Sequence, residues 1–124
     1  MLYYLSIAAG GALGAVGRVW LMTLVDTVTQ TRFPFGTLTV NILGSLAMGV
    51  CFVLIAERWV VAPEWRPMLV AGLLGAFTTF STFSLDALLL MENGLLVQAM
   101  AYILGSVVLC LLAAWTGMTL TRMF

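Results

Sequence analysis

The sequence predicts an all-α integral membrane protein that forms a single domain over residues 1-124, built from four transmembrane helices. Hydrophobic residues make up 63% of the chain and charged residues only 8%, whereas soluble domains carry about 25% charged residues. The stretches 33–56, 67–85 and 93–121 contain no charge, and each is long enough to cross a hydrocarbon core of about 30 Å. A water-soluble fold and a disordered chain are therefore excluded.

The few charged residues restrict the classes of ligand. Five arginines balance five acidic residues and lysine is absent, so the chain has no basic field that would bind nucleic acid. Histidine is also absent, which excludes histidine-based metal sites, catalytic triads and proton shuttles within the chain. Cys51 and Cys110 lie in apolar runs, and their spacing fits neither a metal-ligand motif nor a disulfide framework.

The gaps between charges also set the helix boundaries. The predicted helices span about 2–25, 35–56, 66–91 and 95–121. The connections between them are short and contain the turn-forming residues Pro34, Pro63, Pro67 and Asn93-Gly94.

The arginines give little preference for one orientation in the membrane. Four spans place both termini and the loop at 57–66 on one side, with Arg58, Arg66 and Arg122. The other side has Arg32, and Arg18 as well if its side chain extends to that surface. This bias is weak by the positive-inside rule. A chain with so little bias can insert in both orientations, which leaves an antiparallel, dual-topology homodimer open as one form of assembly.

Helix 1 combines small packing residues with a charge inside the span. Gly10 and Gly14 form a GxxxG pair, which lets a neighbouring helix approach closely. Arg18 lies within the span, where a charge costs at least about 2.5–3.5 kcal/mol. Asp86 of helix 3 and Asn41 of helix 2 are predicted at the same depth. Two interpretations remain open: an Arg18–Asp86 pair that joins the helices, or a polar vestibule that attracts anions, with Asn41 as a donor at its base.

Helix 3 carries the strongest functional signal, because five hydroxyl side chains fall between Gly72 and Ser84. Hydroxyls compete with backbone hydrogen bonds and glycine loosens a helix, so helix 3 is predicted to break near the bilayer midplane. In a membrane, the freed backbone groups are tolerated only where protein, an ion or water satisfies them. Phe80 and Phe83 share a face, and their positive ring edges suit a small dehydrated anion. An ordinary packing stripe explains the two phenylalanines equally well.

Helix 4 has one polar stripe on an otherwise apolar surface. Tyr102, Ser106 and Cys110 follow each other at intervals of four residues and therefore share a face. By itself, this stripe fits interhelical hydrogen bonding as well as it fits a pore wall.

Three segments of the chain resemble the Fluc family of fluoride channels, also called CrcB: GALGAVGR at 11–18, GTLTVNILG at 36–44 and GAFTTFSTF at 75–83. The TTFSTF run is highly specific where it follows VN-xx-G in a four-helix chain of this length. The resemblance implies a passive, fluoride-selective ion channel, not an enzyme, that is closed to chloride. It would lie in the bacterial inner membrane as an antiparallel homodimer with two pores and export cytoplasmic fluoride to relieve its toxicity.

The resemblance also implies roles for individual residues. Asn41 matches an asparagine that donates to the anion, Arg18 matches the arginine of the helix 1 motif, and the two phenylalanines would line the pore with their ring edges. Cys110 stands where the hydroxyl track of helix 4 is often continued by another hydroxyl. A structural sodium ion at the dimer centre would be bound by the backbone carbonyls of Gly75 and Thr78. The predicted fluoride pathway comprises Arg18, Asn41, Phe80, Ser81, Thr82, Phe83, Tyr102 and Ser106.

Two other functions are alternatives to the channel. A small multidrug-type proton antiporter also has four helices and dual topology, but it needs a carboxylate within helix 1. The run from Met1 to Val25 contains no acid, and Asp26 lies at its end. An assembly subunit without its own pathway is the third class, and the clustered hydroxyls of helix 3 argue against it.

Overall fold

The computed structural model describes residues 1–58 and 62–124, and all of the regular structure in those ranges is helical. Four helices are long and apolar enough to cross a membrane: α1 Leu2–Thr29, α2 Phe35–Glu57, α3 Pro63–Glu92 and α4 Leu96–Met123. The predicted loop at 57–66 includes residues 59–61, which lie outside the described residues.

Helix α1 continues beyond its predicted end at residue 25 and stops at Thr29. Gln30 ends it in the left-handed conformation, with φ 48°, and its N–H donates to the Asp26 carbonyl. The Asp26 carboxylate accepts a hydrogen bond of 2.9 Å from the N–H of Gly36, in the first turn of α2. A carboxylate at a helix N-terminus satisfies a free amide and interacts well with the helix dipole. Asp26 therefore links the end of α1 to the start of α2.

Glycines bring α1 and the first half of α3 into backbone contact. A side chain on Gly14 would overlap the carbonyl of Leu73, and one on Gly10 would overlap the carbonyl of Met68. Gly72 faces the carbonyl of Ile7 in the same way. The close helix approach predicted for the GxxxG pair is thus confirmed.

Helices α2 and α4 cross at a second pair of glycines. Gly49 lies against the carbonyl of Ala114, and Gly117 lies against the carbonyl of Leu46. The last turn of α2, Val53–Glu57, is π-helical. It is tied to the end of α4, because the Arg122 guanidinium donates to the Glu57 carboxylate with Nε and Oε2 3.0 Å apart.

The backbone of α3 changes character along its length. A 3₁₀ turn at Pro63–Trp65 and a π-helical stretch at Pro67–Leu74 precede a short α-helical turn at Gly75–Phe77. Thr78 and Thr79 are extended, with φ/ψ of -83°/155° and -149°/119°, and α-helix resumes over Phe80–Glu92. The segment before these two residues packs on α1, and the segment after them packs mainly on α4.

Candidate functional site

Asn41 of α2 binds the backbone of α3 where the helix is interrupted. The N–H of Thr79 donates to Asn41 Oδ1 at 2.8 Å, and Asn41 Nδ2 donates to the Thr79 carbonyl at 3.0 Å. Thr79 is buried, with 7% of its surface exposed. An unpaired backbone group there would cost about 1–3 kcal/mol. The asparagine predicted as an anion donor thus also stabilises the extended step.

The hydroxyls after this step cap the second half of α3. Thr79 Oγ1 accepts from the N–H of Thr82 at 3.2 Å, and it lies 3.0 Å from Thr82 Oγ1 and 3.3 Å from Ser81 Oγ. A threonine that accepts from the third residue beyond it is a common N-cap. Ser81 and Thr82, which were predicted to donate to fluoride, therefore hydrogen-bond within the cap.

The carbonyls predicted to bind sodium are among those that lose their helical hydrogen bonds at the step. In a continuous α-helix, the Gly75 carbonyl accepts from the Thr79 N–H and the Thr78 carbonyl accepts from the Thr82 N–H. Both amides instead donate to side-chain oxygens, of Asn41 and Thr79 respectively. The carbonyls of Gly75 and Thr78 are therefore released from their helical donors.

A cavity of about 430 Å³ lies beside this step, between α2, α3 and α4. It collects four of the eight residues predicted for the fluoride pathway, namely Asn41, Phe80, Phe83 and Ser106, together with Cys110. The other lining residues are Gly44, Ser45, Met48, Thr78, Thr79, Val107, Leu111 and Ala114. Most of this lining is apolar, so its few polar atoms would determine how an ion is held.

The aromatic residues form a chain that leads away from the cavity. The ring centroids of Phe80 and Phe83 are 5.3 Å apart, and those of Phe83 and Tyr102 are also 5.3 Å apart. Tyr102 is fully buried, whereas Phe80 is 78% exposed. Phe80 therefore lies on the surface of the protomer and Tyr102 lies in its core.

The comparisons with known proteins give the family. Residues 5–118 match the model of the family described as CrcB-like protein, Camphor Resistance (CrcB). The chain belongs to the CrcB family. A protein of Hahella chejuensis, named fluoride-specific ion channel FluC, is 50% identical over 94% of this chain and 92% of the relative. Proteins of the same name from Saccharophagus degradans and Magnetococcus marinus are 44% and 47% identical, over 98% and 94% of this chain and 91% and 95% of the relatives.

In this CrcB-family chain, Asp86 has hydroxyl partners. Asp86 Oδ2 accepts from Thr37 Oγ1 at 2.6 Å and from the Tyr102 hydroxyl at 3.3 Å. The pair with Arg18 that one interpretation predicted does not form within the protomer: in residues 1–58 and 62–124 the one ion pair joins Arg122 and Glu57. The packing explains this, because α1 contacts the first half of α3 and Asp86 lies on the second half.

A second cavity, of about 400 Å³, lies at the end of the bundle where α1 joins α2 and α3 joins α4. Its lining includes the charged residues Arg32 and Asp86 and the amide of Asn93. Arg18 lines neither cavity and is half-buried on α1. Of the three residues predicted for a polar vestibule, Asp86 lines this second cavity, Asn41 lines the first cavity and Arg18 lines neither.

The side chain of Ser106 is polar and buried, but it has no hydrogen-bond partner among the described residues. It is 5% exposed, and its hydroxyl has no hydrogen bond to any residue that the structure describes. It lies one turn after Tyr102 and one turn before Cys110, so the polar stripe predicted on α4 reaches both the Asp86 cluster and the first cavity. A buried hydroxyl without a partner is a candidate ligand contact.

Sequence reasoning missed the matching stripe on α2. Thr37, Asn41 and Ser45 also follow at intervals of four residues, the spacing that revealed the stripe on α4. Thr37 is 2% exposed and binds Asp86, and Ser45 lines the first cavity. The same spacing argument applied to α2 would have found both residues.

Proposed function

We propose that this chain is a channel, not an enzyme, that conducts fluoride passively across the bacterial inner membrane and exports it from the cytoplasm, which relieves fluoride toxicity. The observation that carries the proposal is the first cavity, where Asn41, Phe80, Phe83 and Ser106 come together. It occurs in a CrcB-family chain whose relatives are named fluoride-specific ion channels.

The cavity offers the donors that a dehydrated fluoride ion needs. Asn41 Nδ2 carries two hydrogens, of which one binds the Thr79 carbonyl and the other is free for an anion. The Ser106 hydroxyl has a hydrogen to donate and no protein acceptor among the described residues. The edges of Phe80 and Phe83 add partial positive charge. Together these groups replace part of the water shell of fluoride.

The membrane potential supplies the driving force. It acts with about 2.3 kcal/mol per charge per 100 mV, and a negative cytoplasm drives an anion outward. A proton-coupled antiporter of the small multidrug type has no support from the relatives, which are named as channels. Its mechanism also needs an acid within helix 1, which Met1 to Val25 lacks.

The working form in this proposal is an antiparallel, dual-topology homodimer. The first cavity and Phe80 open onto the protomer surface, where Phe80 is 78% exposed. Non-helical backbone and polar groups are costly where they meet lipid. A second copy that covers this face would shield them and complete the wall of each pore.

Sodium at the dimer centre is a further part of the proposal. Gly75 and Thr78 fit it, because the amides that would bond their carbonyls in a helix donate elsewhere. Hard cations such as sodium take oxygen ligands, and two released carbonyls from each of two copies would provide four. When bound, the ion would supply positive charge beside the carbonyls released at the step.

The test is fluoride efflux from liposomes, with the reconstituted protein first shown to be a dimer by size-exclusion chromatography with light scattering. Phe80→Ile and Phe83→Ile keep bulk but remove the aromatic edge with its partial positive charge, so fluoride efflux should fall in both variants. Phe77→Ile is the matched control, because Phe77 lies in the same run and does not line the cavity.

Two results would refute the proposal. Chloride efflux comparable to fluoride efflux in the unmodified protein would contradict fluoride selectivity. Equal rates in the Phe80, Phe83 and Phe77 variants would show that the cavity is not on the ion path.

A further inference from the structure

Two sulfur-containing residues line the first cavity. Met48 of α2 and Cys110 of α4 both line it. The two helices are in backbone contact beside them, because Gly49 follows Met48 directly and lies against the carbonyl of Ala114. Ala114 is one helical turn beyond Cys110. Both residues therefore lie within one turn of the close approach of α2 and α4 at Gly49 and Ala114.

A third residue of this cavity, Ser106, has a hydroxyl without a hydrogen-bond partner among the described residues. Ser106 precedes Cys110 by one turn and lines the same cavity. Only 5% of its surface is exposed. Its hydroxyl makes no hydrogen bond within the described residues. A buried hydroxyl left unpaired is destabilising. This cost indicates that a ligand can occupy the cavity beside Cys110.

We infer that Cys110, Met48 and Ser106 form a binding site for a soft monovalent cation of the Cu⁺ or Ag⁺ class, and that an ion bound there blocks the fluoride pathway. Thiolate and thioether ligands select such ions over sodium, magnesium and calcium. The reaction is an exchange without oxidation: the Cys110 S–H bond breaks, a sulfur–metal bond forms, and the proton leaves to solvent. The Met48 thioether and the Ser106 oxygen then each contribute a lone pair.

The charge balance favours this class of ion in this cavity. A thiolate and a monovalent cation together are neutral, and the lining is mostly apolar, so no net charge is transferred out of water. The blocking role rests on the proposed fluoride pathway. The binding site itself does not depend on that pathway.

Silver binding is tested on the purified dimer in detergent and chloride-free buffer, in a Cys51→Ser background that removes the other thiol. After treatment with silver nitrate and desalting, bound silver per chain is counted by mass spectrometry. We expect one silver per chain, lost on addition of Cys110→Ser, and an affinity about tenfold weaker with Met48→Leu, since one soft ligand is removed. No bound silver in the Cys51→Ser protein, or equal binding after Cys110→Ser, would overturn the site.

Blocking is tested by fluoride efflux from liposomes with and without silver nitrate, each variant being compared with its own silver-free rate. Silver fluoride is soluble, so the metal does not remove the transported ion. We expect a fall of about tenfold or more in Cys51→Ser protein and no fall after Cys110→Ser. Silver bound at Cys110 without slower efflux would overturn the blocking role. Absence of efflux before silver is added would instead refute the proposed function, while the silver count would still decide whether the site exists.

Discussion

Substitution of Asn41 by alanine is the most informative single perturbation of this fold. Asn41 is hydrogen-bonded to both the N–H and the carbonyl of Thr79, at 2.8 and 3.0 Å. Asn41→Ala leaves two backbone groups unpaired on a residue that is 7% exposed. Each costs about 1–3 kcal/mol, which gives about 2–6 kcal/mol in total. We expect the free energy of unfolding to fall by at least about 2 kcal/mol.

The assay is an equilibrium unfolding titration with denaturant, carried out on the purified protein in detergent at one fixed protein concentration. The concentration is fixed because the stability of an oligomer depends on it. Fluoride efflux is measured on the same preparations and normalised to folded protein. Efflux should also fall, since the same substitution removes an amide donor from the cavity.

Ser45→Ala is the matched control. Ser45 lies one turn after Asn41 on the same face of α2 and lines the same cavity. A substitution that breaks no such interaction is usually within about 0.5 kcal/mol of the unmodified protein. If Asn41→Ala and Ser45→Ala cost the same, the hydrogen bonds of Asn41 do not stabilise the extended step, and the reasoning is wrong.

Two further predictions concern packing and charge. Gly14→Ala should lower the free energy of unfolding by about 1–3 kcal/mol, because the added methyl group overlaps the Leu73 carbonyl. Gly11→Ala is the control in the same titration and should cost less, because nothing lies within 4 Å of its added carbon. Asp86→Asn keeps an oxygen that can accept from Thr37 and Tyr102, so its unfolding free energy should change by under about 1 kcal/mol, whereas Asp86→Ala should lose about 1–3 kcal/mol. If Asp86→Asn is strongly destabilised and Arg18→Gln restores it, Asp86 pairs with an arginine after all, from the other copy.

The membrane character of the chain follows from its composition. Long uncharged runs exclude other fold classes, and GxxxG spacing predicts close helix contact without knowledge of which helix is the neighbour. The neighbour of Gly10 and Gly14 could not be predicted, because small residues occur on all four helices and spacing gives the contact face only on its own helix. The structure identifies it as the first half of α3.

The sequence also gives only part of the candidate site, because it does not show how each helix is rotated about its axis. Residues were assigned to the pathway by depth, by residue type and by the resemblance to the Fluc family, and the structure places Asn41, Phe80, Phe83 and Ser106 on one cavity. Depth does not give rotation about the helix axis, and Arg18 was therefore matched with Asp86 although α1 does not pack on the second half of α3. Residue type also does not show that Ser81 and Thr82 bond to Thr79 as part of a helix cap.

The extended step of α3 couples stability to the proposed conduction. Two amides that would close helical hydrogen bonds, those of Thr79 and Thr82, donate instead to side chains. Each exchange gives the amide a side-chain acceptor, while the carbonyl that would accept from it in a helix is released. Asn41 accepts from the Thr79 amide in this exchange and also lines the cavity of the proposed pathway, so its loss should affect both properties. Phe83 and Ser106 line the cavity without a side-chain hydrogen bond in the described part of the chain. Variants of these two residues can therefore separate ion conduction from folding.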